Sequence, residues 1–190
     1  RWLSMALGAK HTCAIDDSHQ LFCMGSDNEG QLGTTLPVRG PRKVGDSWTA
    51  VSATASTACG FTSAGLHCWG NGRTFQHGND VSASQQVPLK VTLPDAVEPT
   101  VVAAGNRATC AVIPSGAAKG TYCWGAATNS EFGNAGFPTG SRTPVFVSSV
   151  IYDTILMTQH VCATSAGTSY CWGANNRGQA TQAVSANPQP

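Results

Sequence analysis

Charged residues are scarce in this sequence. Only 11% of its 190 residues are Asp, Glu, Lys or Arg, against ~25% in typical soluble domains. The 11 basic and 10 acidic residues leave a formal net charge of +1, which gives no electrostatic footprint for nucleic acid or for an anionic membrane surface. No segment approaches the ~20 apolar residues of a membrane-spanning helix. We therefore expect no nucleic-acid partner and no membrane span.

The motifs of common enzyme classes are also missing. The sequence has no Gly-x-Ser-x-Gly elbow, no His-Glu-x-x-His, no Walker loop and no dinucleotide fingerprint. Carboxylates cluster at Asp16-Asp17 and at Asp27-Asn28-Glu29, but a calcium loop needs alternating oxygen ligands across ~12 residues, so these are interpreted as turn residues. We expect a noncatalytic protein without catalytic residues, cofactor-binding residues or a metal site.

Cysteine, in contrast, is abundant. The chain has eight cysteines, and an even, high number favours disulfides in an oxidising compartment. No two of them have the close spacing of paired zinc ligands. The composition therefore predicts a disulfide-bonded protein that is secreted or lies on the extracellular surface.

The cysteines also mark an internal repeat. Four segments align on a cysteine pair: His11 to Gly25, Thr57 to Gly70, Ala108 to Gly125 and His160 to Gly173. Successive second cysteines lie 45, 55 and 48 residues apart, close to the ~40–50 residues of a β-propeller blade. A repeated unit of this length predicts an all-β propeller, with about four repeats across a single region, residues 1–190.

Each segment is typical of a β-hairpin. Turn-forming residues such as Ser63-Ala64-Gly65 lie between the two cysteines, and β-favouring residues flank them. Directly opposed residues of an antiparallel pair are close enough for a disulfide. Of the 105 connectivities that eight cysteines allow, repetition therefore selects one. The expected pairs are Cys13–Cys23, Cys59–Cys68, Cys110–Cys123 and Cys162–Cys171.

Each unit also has room for about four short antiparallel strands. Apolar stretches such as Val87 to Val91 and Pro144 to Val147 precede the run that leads into the hairpin, and we place them at the start of a repeat. The approximate repeats on this basis are 1–40, 41–86, 87–143 and 144–190.

The same residues resemble a known family. Gly8 to Ile15, Leu21-Phe22-Cys23, Gly25 and Gly30-Gln31-Leu32-Gly33 are similar to the repeat of the regulator of chromosome condensation family. The Cys-Trp-Gly triplets that begin at Cys68, Cys123 and Cys171 match the middle of that repeat. Asn71 to Gly78 and Ala174 to Gln179 match its last part. The first repeat departs from the pattern because it has Met24 where the others have Trp.

The resemblance implies a ring larger than these four repeats, since propellers of this family usually close with seven blades. On this basis Trp69, Trp124 and Trp172 pack between adjacent blades. His11 and His160 are each expected to bond a backbone carbonyl near the ring axis. A piece of a ring would have two uncovered end faces, which we expect to carry Trp2 and Leu3 at one end and Trp172 at the other. Further blades, from the same polypeptide or from a partner, would cover them.

Three functions remain open. The leading interpretation is an extracellular, noncatalytic protein-interaction or structural scaffold module, whose partner is another protein or further blades of a larger extracellular assembly. An exchange-factor-type or other regulatory propeller is the first alternative, because the namesake of the family is an exchange factor for a small GTPase. A carbohydrate-binding propeller is the second.

Overall fold

The chain folds into four antiparallel sheets that follow one another along the sequence. The computed structural model describes residues 1–35, 40–94 and 98–179. The first sheet contains β1 (Trp2–Leu7), β2 (His11–Asp16), β3 (Leu21–Gly25) and β4 (Arg42–Gly45), and the second β5 (Trp48–Thr54), β6 (Thr57–Thr62), β7 (Gly65–Gly70) and β8 (Gln85–Lys90). The third sheet contains β9 (Val101–Ala104), β10 (Ala108–Ile113), β11 (Gly120–Ala126) and β12 (Gly140–Ser148), and the fourth β13 (Thr154–Met157), β14 (His160–Ser165) and β15 (Thr168–Gly173).

Within every sheet, neighbours in sequence are neighbours in space. Local hairpin turns enforce this order. Between β14 and β15, for example, Ala166 and Gly167 have φ angles of 49° and 79°, and positive φ at both central residues is the requirement of the tight turn that suits twisted strands. The expected all-β architecture of four propeller blades is confirmed.

The sheet boundaries differ from the repeat boundaries expected above. Arg42–Gly45, Gln85–Lys90 and Gly140–Ser148 each pair with the strand before them, so this strand closes a sheet and does not open the next one. Sequence periodicity did not assign this strand to its sheet, because a long loop separates it from the strand with which it pairs. The fourth sheet has three strands among the described residues, and the rest of repeat 144–190, from residue 180 onward, lies outside them.

Register places the two cysteines of each hairpin directly opposite one another. The pairs in the structure are Cys13–Cys23, Cys59–Cys68, Cys110–Cys123 and Cys162–Cys171. Since side chains alternate between the faces of a strand, each sheet has a disulfide face and an opposite face. The residue after the second cysteine, a Trp in three sheets, points to the opposite face.

The core consists of three seams, each made by the disulfide face of one sheet and the Trp face of the next. Cys13 and Cys23 pack with Trp69 in the first seam, and Cys59 and Cys68 pack with Trp124 in the second. In the third seam Cys110 and Cys123 pack with Trp172. Trp69, Trp124 and Trp172 are almost completely buried.

The two end faces are not equivalent. Large exposed apolar side chains occupy the uncovered face of the first sheet: Trp2, Leu3, Met5, Leu7 and Met24. Leu156 of β13 is 75% exposed at the other end. Trp172 was expected at that end, which is wrong: it is buried against the third sheet, because each Trp that directly follows a second cysteine faces the preceding sheet.

No helix among the described residues is long and apolar enough to cross a bilayer.

Candidate functional site

The long connections between the third and fourth strands create a distinct edge of the molecule. Together with the turns between the first and second strands they form what we call the loop rim. Apart from Arg1, every arginine that the structure describes lies at the loop rim: Arg42, Arg73, Arg107, Arg142 and Arg177. The opposite rim carries acidic residues, namely Asp16, Asp17, Asp46, Glu98 and Asp153. Arginines therefore concentrate on the loop rim, where the carboxylates of Asp27, Glu29, Asp80 and Glu131 accompany them.

Three of these arginines line one cleft between the second and third sheets. Arg73 belongs to the β7–β8 connection, Arg107 to the β9–β10 turn, and Arg142 to the start of β12. The cleft has a volume of about 320 Å³ and is also lined by Phe75 and by hydroxyl groups such as that of Ser141. We call this group of residues the arginine cleft. Its described lining contains no His, Cys or carboxylate side chain.

Phe75 is held in the cleft by an unusual backbone conformation. Its φ is 63°, and the matching loop positions Gly30, Ser130 and Gly178 have φ values of 81°, 62° and 74°. A bulky residue in this region of φ is a genuine outlier. The ring lies beneath the guanidinium of Arg142, at 4.8 Å from centroid to Cζ, a cation–π arrangement.

The three arginines differ in their partners. Arg73 forms an ion pair with Glu29 (Nη2 to Oε1, 3.2 Å), and Arg142 forms one with Asp80 (Nη1 to Oδ1, 3.5 Å). Arg107 donates from Nη1 to the hydroxyl of Thr128 at 3.2 Å. No carboxylate in the described parts of the chain forms an ion pair with Arg107. The arginine cleft can thus hold an anionic group. Arg107 is the arginine of the cleft whose positive charge no described carboxylate neutralises.

Comparison with known proteins identifies the architecture. The regulator of chromosome condensation (RCC1) repeat model matches residues 2–31. The RCC1 domain-containing protein RUG3, mitochondrial, of Arabidopsis thaliana is 28% identical over an alignment 200 residues long that covers 92% of this chain and 42% of RUG3. The crystal structure of Prp20p from Saccharomyces cerevisiae superimposes with a TM-score of 0.87 at 18% identity, over all of this chain and 50% of that one. The chain is an RCC1-like β-propeller.

A more distant structural neighbour comes from a cell-surface protein. The ectodomain of the receptor kinase CR4 from Physcomitrella patens has a TM-score of 0.57 at 19% identity and covers 91% of this chain and 39% of its own. The RCC1-like chain spans about half the length, or less, of all three relatives. At this identity the solved structures show a shared fold.

The last part of the RCC1-like repeat makes a socket for the next sheet's tryptophan. The indole Nε1 of Trp69, Trp124 and Trp172 donates to the backbone carbonyl of Gln31, Gln76 and Glu131, at 3.1, 2.9 and 2.9 Å. A Cβ on Gly33, Gly78 or Gly133 would approach the same indole to within 2.8–2.9 Å. The tryptophans therefore pack between blades, as the resemblance implied. The third socket, Asn129 to Gly133, was missed in the sequence, where the pattern Asn-x-Glu-x-Gly was its only signal.

The histidines of the RCC1-like repeat do not take their expected partners. His11 is buried and neither ring nitrogen forms a hydrogen bond with a described residue. Burial lowers the pKa of His11, an effect that the nearby carbonyl of Ala55 partly offsets. His160 meets the hydroxyl of Thr158, 3.3 Å from Nδ1, and not a backbone carbonyl. The His11 ring lies over Gly8, where a Cβ would approach its Nδ1 to within 2.3 Å, and the Ala55 carbonyl is the backbone acceptor near it.

His77 occupies an apolar position of the socket loop. Leu32 and Phe132 hold the matching place in the first and third loops, and all three side chains are buried. Neither nitrogen of His77 forms a hydrogen bond among the described residues. Burial lowers the pKa of His77 from 6.5 to about 4. His67 donates from Nδ1 to the Gly65 carbonyl at 3.0 Å, and His19 from Nδ1 to the Trp48 carbonyl at 3.1 Å.

The carboxylate clusters act in turns. Asp16 Oδ1 accepts from the backbone N–H groups of Ser18 and Gln20, at 3.0 and 2.8 Å. Asp27 accepts from the N–H of Leu32 at 3.0 Å and forms an ion pair with Arg42 at 2.7 Å. Among the residues that the structure describes, no three His, Cys, Asp or Glu side chains are grouped so as to hold a metal ion.

Proposed function

We propose that this RCC1-like propeller is a noncatalytic protein-interaction module that works outside the cell. The observation that carries the proposal is the disulfide in each of the four sheets. Six of the eight cysteines have no exposed surface and lie within the seams. Disulfides persist in oxidising compartments and are rare where thiols are kept reduced.

A regulatory or interaction role is the coarser statement that the relatives support. Prp20p was solved with a study of its binding to Gsp1p and histones, so a propeller of this fold binds protein partners. The CR4 ectodomain places the fold on a receptor kinase. The name of RUG3 assigns that relative to mitochondria, so the compartment of this chain needs its own measurement.

Thiol trapping of the protein from its native source tests the compartment. Lysis in the presence of an alkylating agent, followed by intact-mass measurement, counts the free thiols. An extracellular module is expected to carry no alkylated cysteine before reduction and eight after it. Alkylation of all eight before reduction would place the protein in a reducing compartment and contradict the proposal.

Nucleotide release separates the interaction module from an exchange factor. A small GTPase loaded with a fluorescent guanine nucleotide is mixed with the chain in excess. We expect no acceleration of release, with an established exchange factor of that GTPase as the positive control. Acceleration that depends on the concentration of this chain would favour the exchange-factor alternative.

A further inference from the structure

The backbone around Arg107 is fixed before any ligand arrives. Its carbonyl accepts from the N–H of Ala126 at 2.9 Å and shares the hydroxyl proton of Thr74, at 3.1 Å, with the closer Oε1 of Gln76 at 2.7 Å. These bonds tie the β9–β10 turn to its own sheet and to the β7–β8 connection of the preceding sheet. Because side-chain and loop ordering costs affinity, a guanidinium on a braced turn is better placed to bind than one on a free loop.

The opposite wall of the cleft is braced in the same way. The N–H of Phe75 donates to the carbonyl of Gly72 and that of Gly78 to the carbonyl of Phe75, both at 2.9 Å. The side chain of Gln76 accepts from the N–H of Thr74 at 2.8 Å. Glycine occupies the position of Phe75 in the first and fourth loops, so the strained phenyl ring is not required by the loop itself. The positive φ itself recurs at Ser130 and so belongs to the repeat, whereas the phenyl ring is particular to this loop.

The charges of the arginine cleft are only partly compensated. Glu29 and Asp80 face Arg73 and Arg142, and both guanidinium side chains remain 68% exposed. Arg107 adds a positive charge without a described carboxylate partner. An arginine fork recognises a carboxylate through two parallel hydrogen bonds. The half-buried Phe75 ring, one face of which Arg142 covers, adds apolar surface for the methylene groups that carry the carboxylate.

We propose that the arginine cleft is the docking site for an acidic peptide segment of a protein partner, with one carboxylate on Arg107 and the adjoining chain against Phe75. The volume of about 320 Å³ is at the small end of ligand pockets, so it admits one or two side chains rather than a folded surface. This inference rests on the proposed interaction function and names the chemistry of the partner.

Fluorescence anisotropy with a labelled oligoglutamate peptide tests the proposal on the complete chain. The wild type is expected to bind, with affinity that falls as salt rises, and not to bind a matched oligoglutamine peptide. Arg107→Gln is expected to weaken binding about tenfold, the equivalent of one charge-assisted contact. Arg177→Gln is the matched control, since it removes the same charge from the same rim outside the cleft, and it should change the affinity less than about twofold.

Phe75→Gly separates binding from folding. It removes the strained ring at a position where glycine is found in two other loops, so the thermal midpoint should stay unchanged or rise while peptide affinity falls. Absence of binding by the wild type, equal affinities of wild type and Arg107→Gln, or equal losses in Arg107→Gln and Arg177→Gln would each overturn the proposal. Displacement of the peptide by inorganic phosphate at constant ionic strength would reveal a free-anion site and would also overturn it. None of these outcomes touches the thiol count or the nucleotide-release result, on which the proposed function depends.

Discussion

Single indole N–H groups connect neighbouring sheets in the described structure. Each Trp fills a seam with its ring and satisfies a backbone carbonyl of the preceding sheet with its Nε1. One side chain thus both packs in the seam and forms a hydrogen bond across it. Buried Trp usually has a hydrogen-bond acceptor for its indole N–H. The Gly at the end of each socket is needed because the indole lies where a Cβ would be.

The sockets differ in one detail that yields a prediction. The Gln76 carbonyl accepts from Thr109 as well as from Trp124, whereas the Gln31 carbonyl accepts from Trp69 alone among the bonds of the described residues. Trp69→Phe therefore orphans a buried carbonyl, and Trp124→Phe does not. Because an unsatisfied buried acceptor costs about 1–3 kcal/mol, we expect Trp69→Phe to lower the free energy of unfolding by about that much more than Trp124→Phe. Equal losses in denaturant titrations of the two variants would contradict this explanation.

His77 predicts a specific dependence of stability on pH. Its pKa in the folded chain is lowered to about 4 from 6.5, so the unfolded chain binds the extra proton more readily. The contribution of neutral His77 to the free energy of unfolding is therefore fully present above about pH 6.5 and is lost as the pH falls toward about 4. From neutral pH to about pH 5 the wild type should lose about 2 kcal/mol through this residue.

His77→Leu should abolish that loss, because Leu32 occupies the matching place in the first loop. Urea unfolding of wild type and variant at neutral and mildly acidic pH measures the difference. His160→Gln is the control, since it removes an imidazole that is only partly buried. An acid-induced loss of the same size in His77→Leu and wild type would exclude His77 as its source.

At the scale of the element, the disulfide hairpins are the feature that local sequence specifies best. Cysteines on either side of a turn meet because hairpin register follows from the turn, so the all-β repeat could be predicted. The membership of Arg42–Gly45 in the first sheet could not, because its pairing with β3 spans a long loop. The arginine cleft was also out of reach, since Arg73, Arg107 and Arg142 lie on separate elements and converge only when two sheets pack.

The position of each disulfide predicts the order of its reduction. Cys162 and Cys171 are partly exposed on the uncovered face of the fourth sheet, while the other six cysteines have no exposed surface. Because thiol–disulfide exchange requires access of the attacking thiolate, we expect Cys162–Cys171 to be reduced first under mild conditions. Timed alkylation followed by peptide mapping measures this order and also tests all four pairings. A bond between different repeats, or simultaneous reduction of all four, would contradict the prediction.

At the scale of the whole molecule, three seams join four sheets and leave two different faces. A repeat architecture buries its units only against neighbours, and the first and fourth sheets each lack one neighbour among the residues that the structure describes. Met24 stands where a Trp would enter a preceding socket, so the first sheet cannot make the indole bond that the other three make. The open face of the first sheet is therefore apolar but lacks an indole N–H group that could donate to a neighbouring sheet.

This open face predicts that the 190-residue chain does not stand alone. Met5 and Leu7 are 62% and 70% exposed on one face of β1, and contiguous apolar patches beyond a few hundred Å² are rarely left uncovered on monomers. We expect the isolated chain to self-associate in light scattering, and Leu7→Lys to reduce the association. Val81→Lys, at a solitary exposed apolar side chain of the β7–β8 connection, should leave it unchanged. A compact, monodisperse monomer that unfolds cooperatively would mean that the four sheets are stable without further blades. The prediction that a neighbour covers the open face would then be wrong.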